Sequence, residues 1–192
     1  MGVIRTFIAF ETTPGQKLVL AEAAASLKEA SADVRWESPD KYHCTLKFLG
    51  ETEERNLPAI RSIIKDVCAD CTPLHIEFDR LGCFPTLREP RVIWAGCTEQ
   101  SPSLNVIKNR MDLALERFGF EIDRRPFHPH VTLGRVKSER RVEHLISKLE
   151  TVTFESFSLA VGELLLIKSV LHREGSVYTV LDSFHLGGNP AP

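Results

Sequence analysis

Two short segments of the chain share one pattern, in which a histidine is followed two residues later by a threonine and then by a leucine. They are His43-Cys44-Thr45-Leu46 and His130-Val131-Thr132-Leu133, a little less than half the chain apart. Histidine titrates near neutral pH, so one member of a pair can be neutral while the other is protonated, as a general base and a general acid require. Threonine hydroxyls can donate hydrogen bonds to phosphoryl oxygens, where the negative charge resides. Together the segments predict acid–base chemistry on a phosphodiester by a scheme that needs no metal.

Each pattern lies in a stretch with the composition of a β-strand, in which residues two positions apart point to the same face. His43 and Thr45 then share one face, as do His130 and Thr132, and the residues between them point into a core. One such face is common on any half-exposed strand. Two copies, each with the trailing leucine and each followed by a helix, are much harder to explain by chance. We therefore predict two pseudo-symmetric halves whose polar faces meet in one cleft.

Lys47 follows Thr45 by two positions, so strict alternation also places it on the face of His43. There it could neutralise a phosphate, or it could simply be solvated at the end of the strand. The equivalent position in the second copy is Gly134, so the two faces are electrostatically unequal. Lys47 is therefore a candidate phosphate-binding residue.

The elements that must position these residues mix strands and helices without a strict β-α-β series. The closing run of strands with short links favours antiparallel pairing and an α+β fold. Gly50 is predicted to close the first motif strand, and turns around Gly82, Pro85 and Pro90 are predicted to separate two later strands. Strands are predicted over residues 3–10, 34–36, 43–49, 74–78, 91–97, 130–136, 154–161, 164–171 and 177–184, and helices from Pro14, from Thr52, from Pro102 to Gly119 and over 140–149.

Composition limits the remaining possibilities. The 192 residues are 43% hydrophobic, which suffices for a core, and no polar linker divides them. We expect a single domain over residues 1–186 and a frayed tail over 187–192. The formal net charge of −2 disfavours broad, non-specific binding of nucleic acid, although it leaves room for a local positive pocket.

The sequence also suggests a compartment. No apolar run reaches the length of a membrane span, and the N-terminus lacks a signal-peptide pattern. We therefore expect no membrane partner. Five cysteines, an odd number, favour reduced thiols in a cytoplasm. Cys68 and Cys71 have the spacing of a metal-binding pair, but no second close pair could complete a zinc site, so buried thiols are the simpler interpretation. No glycine-rich phosphate loop is present, and we expect neither a metal nor a cofactor.

Residues 42–50 and 129–136 resemble the two signature motifs, of HxTx type, of the two-histidine phosphoesterase superfamily. Within that superfamily the chain is similar to the bacterial and archaeal RNA 2′,3′-cyclic phosphodiesterases, long called 2′-5′ RNA ligases. Residues 5–9 and 91–94 are also similar to that group. The resemblance spans nearly the whole chain.

The resemblance implies a bilobal α+β fold with pseudo-two-fold symmetry, in which antiparallel sheets flanked by helices carry one motif per lobe and face a central cleft. The implied activity is that of a hydrolase in RNA processing, which opens a terminal RNA 2′,3′-cyclic phosphate to a 2′-phosphate. In the family's pattern His43 would be the proton donor to the departing 3′ oxygen, and His130 would accept a proton from water. Thr45 and Thr132 would hold the phosphate.

Two further residues are candidates by resemblance. Arg135 resembles a family arginine that contacts the phosphate. Strict alternation would put it on the face opposite His130, unless a bulge near Gly134 re-aims it. Phe48 resembles a cleft residue that could stack on a base, and the same alternation equally allows it to pack in the core.

Two other functions remain open at this stage. One is the reverse reaction, ATP-independent joining of RNA ends through a 2′-5′ linkage. The other is a module that binds a nucleotide or RNA end without turnover. In each case the partner is an RNA end or a nucleotide 2′,3′-cyclic phosphate, and nothing in the sequence demands more than a monomer.

Overall fold

A computed structural model describes residues 2–99, 101–172 and 175–187 of the chain, and these form four α-helices and ten strands. Short 3-10 turns precede the first motif strand and the second helix. The elements, in chain order, are β1 (Val3–Glu11), α1 (Pro14–Lys28), β2 (Val34–Trp36), β3 (His43–Glu53), α2 (Leu57–Ala69), β4 (Leu74–Phe78), β5 (Arg80–Thr86), β6 (Glu89–Gly96), α3 (Pro102–Glu116), β7 (His130–Val136), α4 (Val142–Thr151), β8 (Phe157–Val161), β9 (Glu163–His172) and β10 (Gly175–His185).

The main sheet has the strand order β10-β9-β1-β3-β7-β6-β5, with β2 alongside β7. Its pairings are antiparallel, and β4 pairs with β8 in a separate two-stranded sheet. The two motif strands, β3 and β7, are neighbours in the middle and pair at Cys44 and Val131. One half of the sheet therefore carries each motif, which confirms the predicted α+β fold built on antiparallel strands.

The four helices bury their apolar stripes against the core side of the strands in one continuous cluster, which includes Leu20 of α1, Ile60 of α2, Met111 of α3 and Leu145 of α4. Each fully buried side chain of this size contributes roughly 1.5–3 kcal/mol to folding.

A smaller apolar cluster lies apart from this core. It consists of Phe7, Ala9, Leu165 and Ile167, with Tyr178 packed against it. The cluster supports the face of the sheet that carries the first motif histidine, because the ring of Phe7 stacks on that of His43.

The first motif strand is longer than predicted. Gly50 does not end it: the glycine adopts a φ of 70°, a left-handed conformation that lets the pairing with β1 shift and the strand continue to Glu53. The prediction that Thr52 starts the second helix is wrong. Thr52 is buried in β3, its hydroxyl lies 2.8 Å from that of Thr6, and α2 begins at Leu57.

The turn-rich segment around Gly82, Pro85 and Pro90 is largely a strand, which corrects the prediction. Gly82 and Pro85 lie in β5, the last strand of the main sheet, and Pro90 lies in β6, which pairs with it. An edge strand tolerates glycine and proline because one of its sides makes no ladder hydrogen bonds. Gly82 also has a packing role, since a Cβ there would collide with the ring of Trp94.

The five cysteines are free, and Cys68 and Cys71 are buried as expected. In the described part of the chain, no helix combines the length and the apolar character needed to cross a membrane. The tail predicted over 187–192 falls, apart from Gly187, outside the described residues.

Candidate active site

The pairing of β3 with β7 brings the two motifs together. Cys44 and Val131 face each other across the antiparallel strands and are both fully buried, so the motif residues on either side of them turn to the opposite face. There, His43, Thr45, His130 and Thr132 line one cleft of about 450 Å³. This is the arrangement that the doubled pattern predicted.

Both motif strands contain a bulge at the same place. In β3 the register with β1 passes from Thr45 to Lys47 and skips Leu46. In β7 the register with β6 passes from Thr132 to Gly134 and skips the equivalent leucine. An extra residue of this kind reverses the alternation of faces beyond it. The repeated bulge is the clearest structural sign of the pseudo-two-fold relation between the halves.

The bulge corrects the prediction for Lys47. Its side chain leaves the cleft face and is buried in the core, where Nζ donates to Oδ1 of Asp112 at 2.5 Å and to the carbonyl of Glu121 at 2.8 Å. Lys108 donates to the other carboxylate oxygen of Asp112, also at 2.5 Å. Lys47 therefore does not line the cleft. Its counterpart Gly134 is equally buried, because β2 packs on it.

The same bulges bring the next residues onto the cleft face. Arg135 lines the cleft, is about half exposed and lies 3.8 Å from the carboxylate of Glu37, so the bulge that its role required is present. Phe48 also lines the cleft and is 67% exposed. Core packing, the alternative interpretation of Phe48, is therefore excluded.

The two imidazoles are oriented in the same way. Nδ1 of His43 lies 2.7 Å from the carbonyl oxygen of Lys41, and Nδ1 of His130 lies 2.7 Å from that of His128. A carbonyl only accepts, so each Nδ1 carries a proton and donates it. This bond fixes the ring orientation and leaves each Nε2 available for proton exchange.

Burial lowers the pKa of both histidines below the ordinary value of 6.5, because a desolvated imidazolium is less stable. The backbone hydrogen bonds oppose this shift in each case. Nearby positive charge adds to it: Lys17 and the other motif histidine lower the pKa of His43, whereas His128 and Arg135 lower that of His130.

Aromatic rings hold each imidazole, and sequence reasoning assigned them no role. His43 stacks on Phe7 with ring centroids 4.9 Å apart and meets the edge of Tyr178 at 5.1 Å. His130 meets Phe84 nearly perpendicularly at 5.0 Å, with Trp94 behind. Phe7 and Trp94 lie in the segments whose likeness to the family was visible in the sequence. Phe84 lies in a strand that was predicted as turns.

The cleft is positively charged although the whole chain is slightly negative. Arg5, Arg35, Lys41 and Arg135 line it, together with Glu37. Among the described residues, no group of three or more histidine, cysteine or acidic side chains is arranged to hold a metal ion. The arrangement can therefore bind an anion and exchange two protons with it through imidazoles.

The chain matches the family model described as the 2′-5′ RNA ligase superfamily over residues 17–173. A relative from Methanothermobacter thermautotrophicus, named RNA 2′,3′-cyclic phosphodiesterase, is 32% identical over 186 residues, which cover 95% of this chain and 99% of the relative. A relative of the same name from Aquifex aeolicus is 32% identical over 193 residues, covering 98% of this chain and all of the relative.

Solved structures give the same result for the fold. TT0787 of Thermus thermophilus superposes with a TM-score of 0.80 at 24% identity, over 97% of this chain and all of that one. E. coli LigT complexed with 3′-AMP superposes with a TM-score of 0.76 at 27% identity, over 96% of this chain and 99% of that one. On the extent of the family-model match and the identity to these relatives, the chain belongs to the 2′-5′ RNA ligase superfamily.

Proposed function

We propose that this protein is an RNA 2′,3′-cyclic phosphodiesterase, which hydrolyses a terminal 2′,3′-cyclic phosphate to a 2′-phosphomonoester. The observation that carries the proposal is the matched pair of imidazoles, each fixed through Nδ1 to a backbone carbonyl and each lining the same cleft. The names of the relatives support the same activity. Besides one water molecule, the proposed reaction uses side chains of the cleft.

The phosphate would lie between the two motif strands. Thr45 on β3 and Thr132 on β7 line the cleft and can each donate a hydrogen bond to a non-bridging oxygen. Arg135 adds a guanidinium on the same face, and its 3.8 Å separation from Glu37 leaves it free to turn toward an anion. Phe48 offers an exposed ring on which a base can stack.

We assign His43 as the proton donor and His130 as the proton acceptor, as the pattern of the family implies. The contact of His43 with the face of the Phe7 ring supports the first role, because the quadrupole of that ring favours a positive charge.

Hydrolysis then proceeds in line. Nε2 of His130 takes a proton from water as the water oxygen bonds to phosphorus, and Nε2 of His43 gives its proton to the 3′ oxygen as the P–O3′ bond breaks. The 2′ oxygen keeps its bond to phosphorus, which yields the 2′-phosphate. Proton exchange with solvent restores the starting protonation of both rings.

We propose further that the protein acts as a monomer in the cytoplasm on RNA ends, as a single domain over residues 1–186. The positive lining of the cleft supports a nucleic acid end as the ligand, and the free cysteines are compatible with a reducing compartment.

The test is the product formed from an oligonucleotide that ends in a 2′,3′-cyclic phosphate. Phosphorus NMR should show a 2′-phosphate, and His43→Gln and His130→Gln should each lower kcat by at least about 100-fold. His75→Gln, at an exposed histidine outside the cleft, is the control. A 3′-phosphate product, or near-normal turnover in either motif variant, contradicts the proposal. Tight binding without any product would instead indicate a binding module.

The description of the family model favours one second activity, the reverse reaction. Microscopic reversibility lets the same imidazoles join a 2′,3′-cyclic end to a 5′ hydroxyl. Incubation of two such RNA halves without ATP should give a 2′-5′-linked product that depends on the same two histidines. The absence of that product under conditions of full hydrolysis excludes ligation.

A further inference from the structure

The charge on the cleft walls exceeds what a cyclic phosphate alone can neutralise. Four cationic side chains, Arg5, Arg35, Lys41 and Arg135, line the cleft with the carboxylate of Glu37. A 2′,3′-cyclic phosphodiester carries a single negative charge. Uncompensated positive charge in a concave site favours ligands with more anionic groups.

Two of these cations form a direct cross-strand pair. Arg35 of β2 lies opposite Arg135 of β7 in the antiparallel register, so their Cβ atoms are about 5 Å apart. Both side chains reach the cleft. Like charges at such positions repel each other. Glu37 offsets one of the two charges by its contact with Arg135, whereas the guanidinium of Arg35 makes no hydrogen bond or ion pair with the described residues.

The backbone register places this guanidinium pair beyond the start of β3, because antiparallel pairing at Cys44 and Val131 directs the Arg135 end of β7 toward His43. The charge of Arg135 also acts on His130, so Arg135 is the member of the pair that reaches the reacting centre. The ring centroid of Tyr178 lies 5.1 Å from that of His43. Burial raises the pKa of its hydroxyl, and the charges of Glu37 and the guanidinium pair act on it as well.

The direction of the proposed reaction predicts where the preceding nucleotide of an RNA substrate lies. The attacking water and the departing 3′ oxygen lie on opposite sides of phosphorus. His43 protonates the departing oxygen, so the ribose and the chain that precedes it lie on the His43 side. The next phosphate of an RNA strand therefore falls toward the guanidinium pair, at a separation that two neighbouring arginines can span.

We propose that Arg35 binds the phosphodiester that precedes the terminal nucleotide, so that an RNA end is a better substrate than a nucleoside 2′,3′-cyclic monophosphate. The inference rests on the proposed function and specifies its substrate. Arg135 serves the reacting phosphate, and Arg35 serves the phosphate before it.

The test compares a dinucleotide 2′,3′-cyclic phosphate with the mononucleotide that has the same terminal base. Wild type should have a kcat/KM about fivefold higher for the dinucleotide, as one charge-assisted contact at an exposed site allows. Arg35→Gln should remove that preference, because it should lower kcat/KM for the dinucleotide about fivefold and lower kcat/KM for the mononucleotide much less. Arg35→Lys should retain part of the preference. The log–log salt dependence of dinucleotide binding should become shallower by about 0.7 in Arg35→Gln, the slope expected for one lost phosphate contact.

Lys65→Gln is the matched control for the loss of one positive charge, because α2 packs on the core side of the strands and its exposed Lys65 lies outside the cleft. Equal efficiency of wild type on both substrates overturns the inference, as does an equal loss on both substrates in Arg35→Gln. Turnover of neither substrate by wild type counts against the proposed function. Circular dichroism and the urea midpoint of each variant report whether its fold is intact.

Discussion

Removal of the carboxylate of Asp112 should destabilise the protein far more than removal of an exposed carboxylate with the same ion-pair distance. Asp112 is 1% exposed, and both of its oxygens accept from lysine ammonium groups at 2.5 Å. Asp112→Asn keeps the shape of the side chain but leaves two buried positive charges without a counter-charge. Breaking a buried pair in this way costs about 3–5 kcal/mol of unfolding free energy.

Urea denaturation provides the measurement. With a slope of about 2 kcal/mol per molar urea, a loss of this size lowers the midpoint by roughly 1.5–2.5 M. The matched control is Glu29→Gln, since Glu29 and Lys148 also lie 2.5 Å apart but are 67% and 37% exposed. Exposed pairs contribute about 0.2–1 kcal/mol, so the control should shift the midpoint by no more than about 0.5 M.

The outcome distinguishes burial from distance as the source of the effect. Equal shifts in the two variants would refute the reasoning, because they would show that water or a proton rearrangement relieves the buried lysines. Lys47→Met combined with Asp112→Leu and Lys108→Met should recover much of the lost stability, since apolar residues often replace a buried ionic triad at little cost.

Two further predictions concern the site and the strand that supports it. The proposed catalysis needs one protonated and one neutral imidazole, and burial lowers the pKa of both His43 and His130 below 6.5. The kcat/KM of the free enzyme should therefore peak on the acid side of pH 6.5 and fall as the pH rises through neutrality. A maximum above neutrality in a pH series would contradict this prediction. A methyl group at Gly134 would lie 2.7 Å from the Val34 side chain of β2, so Gly134→Ala should cost about 1–3 kcal/mol in thermal or urea unfolding, whereas Gly162→Ala, which meets nothing within 4 Å, should leave the stability nearly unchanged.

The sequence by itself identified the motif histidines and threonines and placed them on one face of each strand. That succeeded because alternation is a local property of extended chain, and because two copies of one pattern set these residues apart from ordinary strand residues. The start of α1 was equally readable, since proline favours the first turn of a helix and α1 begins at Pro14. These features depend only on neighbours in the sequence.

The positions beyond each motif could not be assigned in the same way. Strict alternation put Lys47 in the cleft and Phe48 and Arg135 on the opposite face. The bulge at Leu46 and its counterpart at Leu133 reverse the face of each of these side chains. A bulge is a mismatch between two paired strands, so it exists only once β1 and β6 have taken their register.

The charge environment was also decided by the tertiary fold. Asp112, far along the chain on α3, supplies the buried partner of Lys47, and Arg35 meets Arg135 only because β2 pairs with β7. The chain thus encodes the proposed reacting groups locally, in the types and spacing of the motif residues. Which further side chains reach those groups is set by strand register and helix packing, because these bring together residues that are remote in sequence.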